Sequence, residues 1–148
     1  MIPSFFSKLP IPEKLPAEME RHVAALQRTK GRRECLEQAY RIITSRYEGR
    51  KLETYLKLPR AFTKRLEKIW TRTGYLHCHQ QNYLLRVLLV KSGKFSEEDV
   101  RQKLTLYVIS PHQYLQVNLG TKSKPDWIDV DPWALKPCGL RIGKHAGR

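Results

Sequence analysis

The sequence predicts an α+β fold: N-terminal helices, a buried central helix that starts at a cysteine, and then a small antiparallel β-sheet. Three observations point to it. Apolar residues recur at helical spacing through the first half of the chain. Tyr83–Val90 is apolar except for Arg86, leaving no stripe for solvent, so it reads as a helix buried on every side. From Leu104 onward the period drops to two, the spacing of strands. Helices followed by antiparallel strands around one core define the class.

The chain has 148 residues, enough for one domain with a core. At 41% hydrophobic and 28% charged residues it is a folded chain rather than a disordered one. No apolar run approaches the roughly 18 residues that span a bilayer. Met1–Pro10 has neither the basic start nor the apolar stretch of a secretion signal, which leads to the expectation of a cytoplasmic protein. Cys35, Cys78 and Cys138 are odd in number and lack paired spacing, which fits a reducing compartment and argues against a disulfide framework. Lys and Arg total 28 against 14 Asp and Glu, a net charge of +14. Such an excess favours an anionic partner, either nucleic acid or an acidic polymer.

In order along the chain, residues 1–15 carry Pro3, Pro10 and Pro12 and read as an extended arm. Residues 16–137 read as the single domain and 138–148 as a basic tail that frays. Pro16 suits the first turn of a helix running to about Thr29, with Met19, Val23 and Leu26 on one face and Gly31 closing it. A second helix, Arg32 to Tyr47, lines up Leu36, Tyr40, Ile43 and Tyr47, with Cys35 bordering that apolar side as a packed thiol. Lys51–Leu58 reads as loop or short strand. Pro59 opens a third helix to about Thr73, with Phe62, Leu66, Ile69 and Trp70 inward. On its other side Arg60, Lys64, Lys68 and Arg72 recur every fourth residue. They read either as a surface that tracks phosphates or as the solvated face of an amphipathic helix.

Gly74 then turns the chain toward Cys78, where the central helix begins; Gly93 stops it. A thiol in the first turn lies at the positive end of the helix dipole, which favours the nucleophilic thiolate. Ser96–Asp99 looks like a short helix start. Leu104–Ile109 is β-rich, Ser110-Pro111 interrupts, and His112–Leu119 alternates, with Leu115, Val117 and Leu119 on one face and His112, Tyr114, Gln116 and Asn118 on the other. After a turn at residues 120–125, Trp127–Pro132 forms a strand with Ile128 and Val130 inward and Asp129 and Asp131 opposite.

Pairing these last strands with His112 opposite Asp131 sets Leu115 against Ile128 and leaves Gly120–Ser123 as the hairpin loop. A slip of one residue would bury His112 or Asp131 among aliphatics. An imidazole beside a carboxylate, brought to Cys78, supplies a base, an orienting acid and a nucleophile. Asp129 shares the face of Asp131 and remains a second candidate for the acid. The Cys78 N–H at the helix start is a candidate oxyanion donor.

These residues resemble the transglutaminase-like superfamily of papain-related cysteine enzymes. The resemblance rests on Gly74-Tyr75-Leu76-His77-Cys78 opening a buried helix, on His112-Gln113-Tyr114, and on Trp127-Ile128-Asp129-Val130-Asp131-Pro132. It covers roughly residues 36 to 133. It implies a transglutaminase-like core, Cys78, His112 and Asp131 as triad, and amide chemistry through a thioester, with no cofactor. Tyr114 stands where the family usually has tryptophan, Gln116 where an acid is common, and no side-chain oxyanion donor is assigned.

A zinc site of His77, Cys78, His79 and His112 lacks the usual ligand spacing, because adjacent residues diverge in direction. Cys138, beside a glycine and near the tail, reads as a surface thiol. Two functions follow. The first is a thiol enzyme, peptidase, amidase or transamidase, acting on a peptide, protein or peptidoglycan-like substrate. The second is a catalytically idle basic module that binds nucleic acid or another polyanion.

Overall fold

The structure is a computed structural model that describes residues 8–147, with Lys51 and Leu52 described by their backbone alone. The first seven residues of the expected arm, and with them most of the segment weighed as a secretion signal, lie outside the described residues, as does Arg148. The architecture is mixed α+β. Among the described residues there are six α-helices, a three-stranded antiparallel sheet and a two-stranded parallel one. None of these helices is long and apolar enough to cross a membrane.

Helices α1 (Ala17–Gln27) and α2 (Arg32–Arg46) pack on α5 (Cys78–Lys91) through Met19, Leu26, Leu36 and Ile43, all fully buried. Burial of each such side chain contributes about 1.5–3 kcal/mol. Helix α5 is enclosed as its composition predicts: Leu84, Leu85, Val87, Leu88 and Leu89 are inaccessible, and so is Arg86. The Arg86 guanidinium donates to the Leu9 carbonyl and Tyr83 Oη donates to that of Pro10. Residues 8–15 therefore lie against the core as an extended segment rather than free of it. Cys35 is fully buried in the core.

Chain between α2 and α5 departs from the sequence reading. Tyr47–Glu48 (β1) and Gly74–Tyr75 (β2) pair in parallel, which brings the approach to Cys78 alongside the exit from α2. Lys51–Leu56 is a short helix, α3, and neither loop nor strand. The expected helix from Pro59 to Thr73 is broken: a 3₁₀ turn spans Leu58–Phe62, residues 63–65 run extended, and α4 covers only Leu66–Thr71. The break has a tertiary cause. Gln80 Nε2, from the first turn of α5, donates to the carbonyls of Arg60 (2.7 Å) and Thr63 (3.2 Å), which a continuous helix would use internally. Phe62 consequently faces outward.

The sheet runs β3 (Val100–Tyr107), β4 (Ser110–Asn118), β5 (Trp127–Val130). Strand β3 begins directly after a 3₁₀ turn at Glu97–Asp99, and Pro111 lies inside β4, opposite Leu106. The register of β4 with β5 is Leu115↔Val130 and Val117↔Ile128, two residues away from the expected pairing. Facing is unchanged by an even shift, so Leu115, Val117 and Val130 still enter the core. Arg32 holds the β4–β5 loop to α2 by donating to Gly120 O (2.7 Å) and pairing with Asp99 (3.2 Å).

The tail folds back instead of fraying. After a 3₁₀ turn at Pro132–Ala134 and α6 (Leu135–Cys138), Gly143 N–H donates to Asp129 O at 2.7 Å, and Ala146 is buried. Gly49 is required by close approach: a Cβ there would lie 2.4 Å from the Trp133 ring and from its carbonyl oxygen. Gly49→Ala is expected to destabilise the fold by about 3 kcal/mol, read as a lower urea midpoint, with the Trp133 ring displaced.

Candidate active site

The first turn of α5 is polar where the rest is apolar, and each polar side chain braces a different neighbour. Gln80 holds the 60–63 segment, Gln81 Nε2 donates to Leu76 O (2.9 Å), and Asn82 Nδ2 donates to Gln113 O at 2.9 Å and to Gln113 Oε1 at 3.1 Å. The Asn82 bonds tie the Cys78 helix to β4 one residue beyond His112. Cys78 and His112 thus sit on two elements bolted together within the core.

His112 Nε2 donates to Asp131 Oδ2 at 2.6 Å, and both side chains are almost wholly buried. The two-residue register shift makes this contact diagonal rather than directly cross-strand. With Nε2 held by the carboxylate, Nδ1 is the ring nitrogen left for the sulfur of Cys78, which lines the same cleft. The structure therefore brings together Cys78, His112 and Asp131. The other candidate acid, Asp129, is engaged elsewhere: it accepts from Gln116 Nε2 (3.0 Å) and from His145 Nδ1 (2.9 Å).

Electrostatics divide the pair into ions. Burial by itself pushes the Cys78 thiol up, but hydrogen bonds from His112 and His79 and their charge outweigh it and bring the thiol down to about 6. Burial acts on His112 in the opposite sense, lowering it. Hydrogen bonds to Asp131 and Cys78, and the charges of both, raise it to about 10. Between those values the stable form is thiolate beside imidazolium, the reactive state of a cysteine nucleophile.

Several contributors were not singled out by sequence reasoning. His79 places Nε2 2.8 Å from Ala61 O and helps to lower the Cys78 thiol. In the sequence it reads only as a candidate zinc ligand. Trp133 packs on the His112 ring, centroids 5.1 Å apart, and on Tyr107. The tail completes the carboxylate's surroundings: Ala146 N–H donates to Asp131 Oδ2 (2.9 Å), while His145 stacks flat on Tyr114 at 3.8 Å. Cys138 is half-buried and donates to Tyr107 Oη (3.3 Å), so it is a packed thiol rather than a surface one.

His77 also lines the cleft, with Nε2 toward Thr54 O (3.3 Å), and burial lowers its pKa to about 4, keeping it neutral. No group of three His, Cys, Asp or Glu among the described residues is arranged to hold a metal ion. The basic series does not form one helical face: Arg60 lies in the 3₁₀ turn, Lys64 in the extended break, Lys68 in α4, and Arg72 caps α4 while donating to Thr63 Oγ1 at 2.8 Å. Cys78 and His112 open into a cleft of about 170 Å³, bounded by Tyr55 and Leu58 on one side and Tyr107 and Trp133 on the other.

Comparisons of the chain with protein-family models, with curated proteins and with solved structures found no match.

Proposed function

We propose that this protein is a transglutaminase-like thiol enzyme that breaks or exchanges amide bonds through an acyl-enzyme on Cys78. The observation that supports this most is that Cys78 and His112 share one cleft while His112 bonds Asp131, with the thiol lowered and the imidazole raised. In the first half-reaction the thiolate adds to the substrate carbonyl carbon, and the oxyanion takes the Cys78 N–H, which at the head of α5 has no intrahelical partner. The C–N bond then breaks, the imidazolium Nδ1 proton passes to the leaving amine, and a thioester remains. In the second, water or another amine attacks the thioester carbonyl, His112 takes the attacker's proton, and the C–S bond breaks to restore the ion pair. Asp131 holds the ring through Nε2.

The rival reading, an idle polyanion-binding module, rests on the net charge and on Arg60, Lys64, Lys68 and Arg72, which lie on successive short elements rather than on one helical face. A trap for the thioester tests the proposal. Incubation with a tryptic casein digest and hydroxylamine is expected to give peptide hydroxamates by mass spectrometry with the wild-type protein and none with Cys78→Ser. Equal yields from both proteins, or a product from neither alongside salt-sensitive retardation of an oligonucleotide, would reject it.

A further inference from the structure

Most of the surface exposed inside the cleft is apolar. Its lining contains no Lys, Arg, Asp or Glu, although the chain carries a net charge of +14. Among the described residues the exposed large apolar side chains fall into two runs. One is Tyr55, Leu56, Leu58 and Phe62, on α3 and the following 3₁₀ turn. The other is Leu104, Leu106, Val108 and Ile109, along β3 and at its tip. Tyr55 and Leu58 line the cleft from the first run, and Tyr107 and Ser110, which bracket Val108-Ile109, line it from the second. Of these eight residues Tyr55 and Leu58 line the cleft itself, the other six lie near its lining in sequence as two lips, and Tyr55 Oη meets Ser110 Oγ in a hydrogen bond.

The tip is an unusual place for such residues. Val108 and Ile109 are the two central residues of the β3–β4 hairpin, where Asn-Gly or Asp-Gly is favoured. Val108 has φ +61°, a left-handed conformation that a β-branched side chain adopts only under strain. The pair is nonetheless 63% and 87% exposed, so the strain secures no packing within the chain. Strain of this kind, held at the mouth of a reactive cleft, marks a surface shaped for something outside the molecule.

We infer that the acyl donor is a polypeptide with a bulky apolar or aromatic side chain at the residue whose carbonyl Cys78 attacks, with apolar residues beside it resting on the two lips. This rests on the reading of Cys78 as the nucleophile. The dimensions argue for one ring: the cleft holds about 170 Å³, close to the roughly 150 Å³ apolar cavity that accepts a benzene molecule. A carboxylate, as in an acidic peptidoglycan stem, would lose its water there, and the His112 imidazolium in the lining is already paired with the Asp131 carboxylate. That chemistry separates this cleft from the peptidoglycan-like substrates the sequence left open.

The test uses chloromethyl ketones of acetyl-Phe, acetyl-Gly and acetyl-Glu, each attacked at its methylene carbon by the Cys78 sulfur, which forms the S–C bond as chloride leaves. Rates of adduct formation are read by intact mass spectrometry, and iodoacetamide serves as the reference for intrinsic thiol reactivity. The Phe reagent is expected to label at least about 10-fold faster than Gly, with Glu the slowest. In Leu58→Asp the Phe-to-Gly ratio should fall toward one. If iodoacetamide singles out Cys78 but the wild-type ratio is already near one, the inference fails and the thiol-enzyme reading survives. If iodoacetamide does not single out Cys78, both fail. A flat ratio with co-sedimentation on phosphatidylglycerol vesicles would assign the lips to a membrane surface and overturn the inference.

Discussion

Alkylation of Cys78 by iodoacetamide at pH 6 is expected to fall about 100-fold in His112→Ala. The size follows from the thiolate population. With the thiol at about 6, half of Cys78 is thiolate at that pH. Removing the imidazole deletes one hydrogen bond and one positive charge and leaves burial, which acts upward, against the remaining influence of His79. Burial, the largest of these influences, carries the thiol back toward the ordinary value of about 8.5, where roughly one molecule in 300 is ionised at pH 6. The gap closes as pH rises, and by about pH 9.5 the two proteins should react within a few-fold of each other. The sign of each shift defines the wild-type profile. A lowered thiol gives the reactive anion above pH 6, and a raised imidazole keeps its proton below pH 10, so turnover rises through the first value and falls through the second. Identical rates for the two proteins at pH 6 would separate His112 from Cys78.

The parts of this site that could be read from the sequence are those set by periodicity. Alternation from His112 to Leu119 fixed which residues share a face, and an apolar run fixed α5 as buried, because each depends on spacing along one element. Alternation determines parity but not register. Residues two apart are equivalent to it, so the β4–β5 pairing could be misplaced by two while His112 and Asp131 stayed on one face. The break after Phe62 was invisible for a different reason: it is made by Gln80, about 20 residues downstream, taking backbone carbonyls from an otherwise credible helix. The tail left least trace of all. Its decisive contact with the triad is a backbone N–H, from Ala146, and a backbone amide has no letter in the sequence. What was legible in the first turn of α5 was only that Gln80, Gln81 and Asn82 break the apolar pattern; that each is a brace needed the fold.

Asp131→Asn is expected to reduce turnover at neutral pH by about 10³- to 10⁴-fold, on the scale seen when a triad carboxylate becomes an amide, and to move the alkaline limb of the profile to lower pH. The carboxylate is buried. Its Oδ2 receives His112 Nε2–H at 2.6 Å and Ala146 N–H at 2.9 Å, and Oδ1 has no hydrogen-bond partner among the described residues. An asparagine that keeps its oxygen toward the two donors puts its NH₂ where Oδ1 was, a buried donor lacking an acceptor, which costs about 1–3 kcal/mol. Turning the amide over instead sets NH₂ against two N–H groups and reverses the His112 tautomer. Either way the negative charge that helps hold the imidazolium is gone, so His112 loses its proton below its present value of about 10. Loss of stability alone would lower turnover without moving that limb, which makes the pH profile the informative measurement. Asp129→Asn is the matched comparison, since Asp129 serves His145 and Gln116 on the same face. The alkaline limb should stay in place there. A limb that moved in Asp129→Asn and held still in Asp131→Asn would exchange the roles of the two acids.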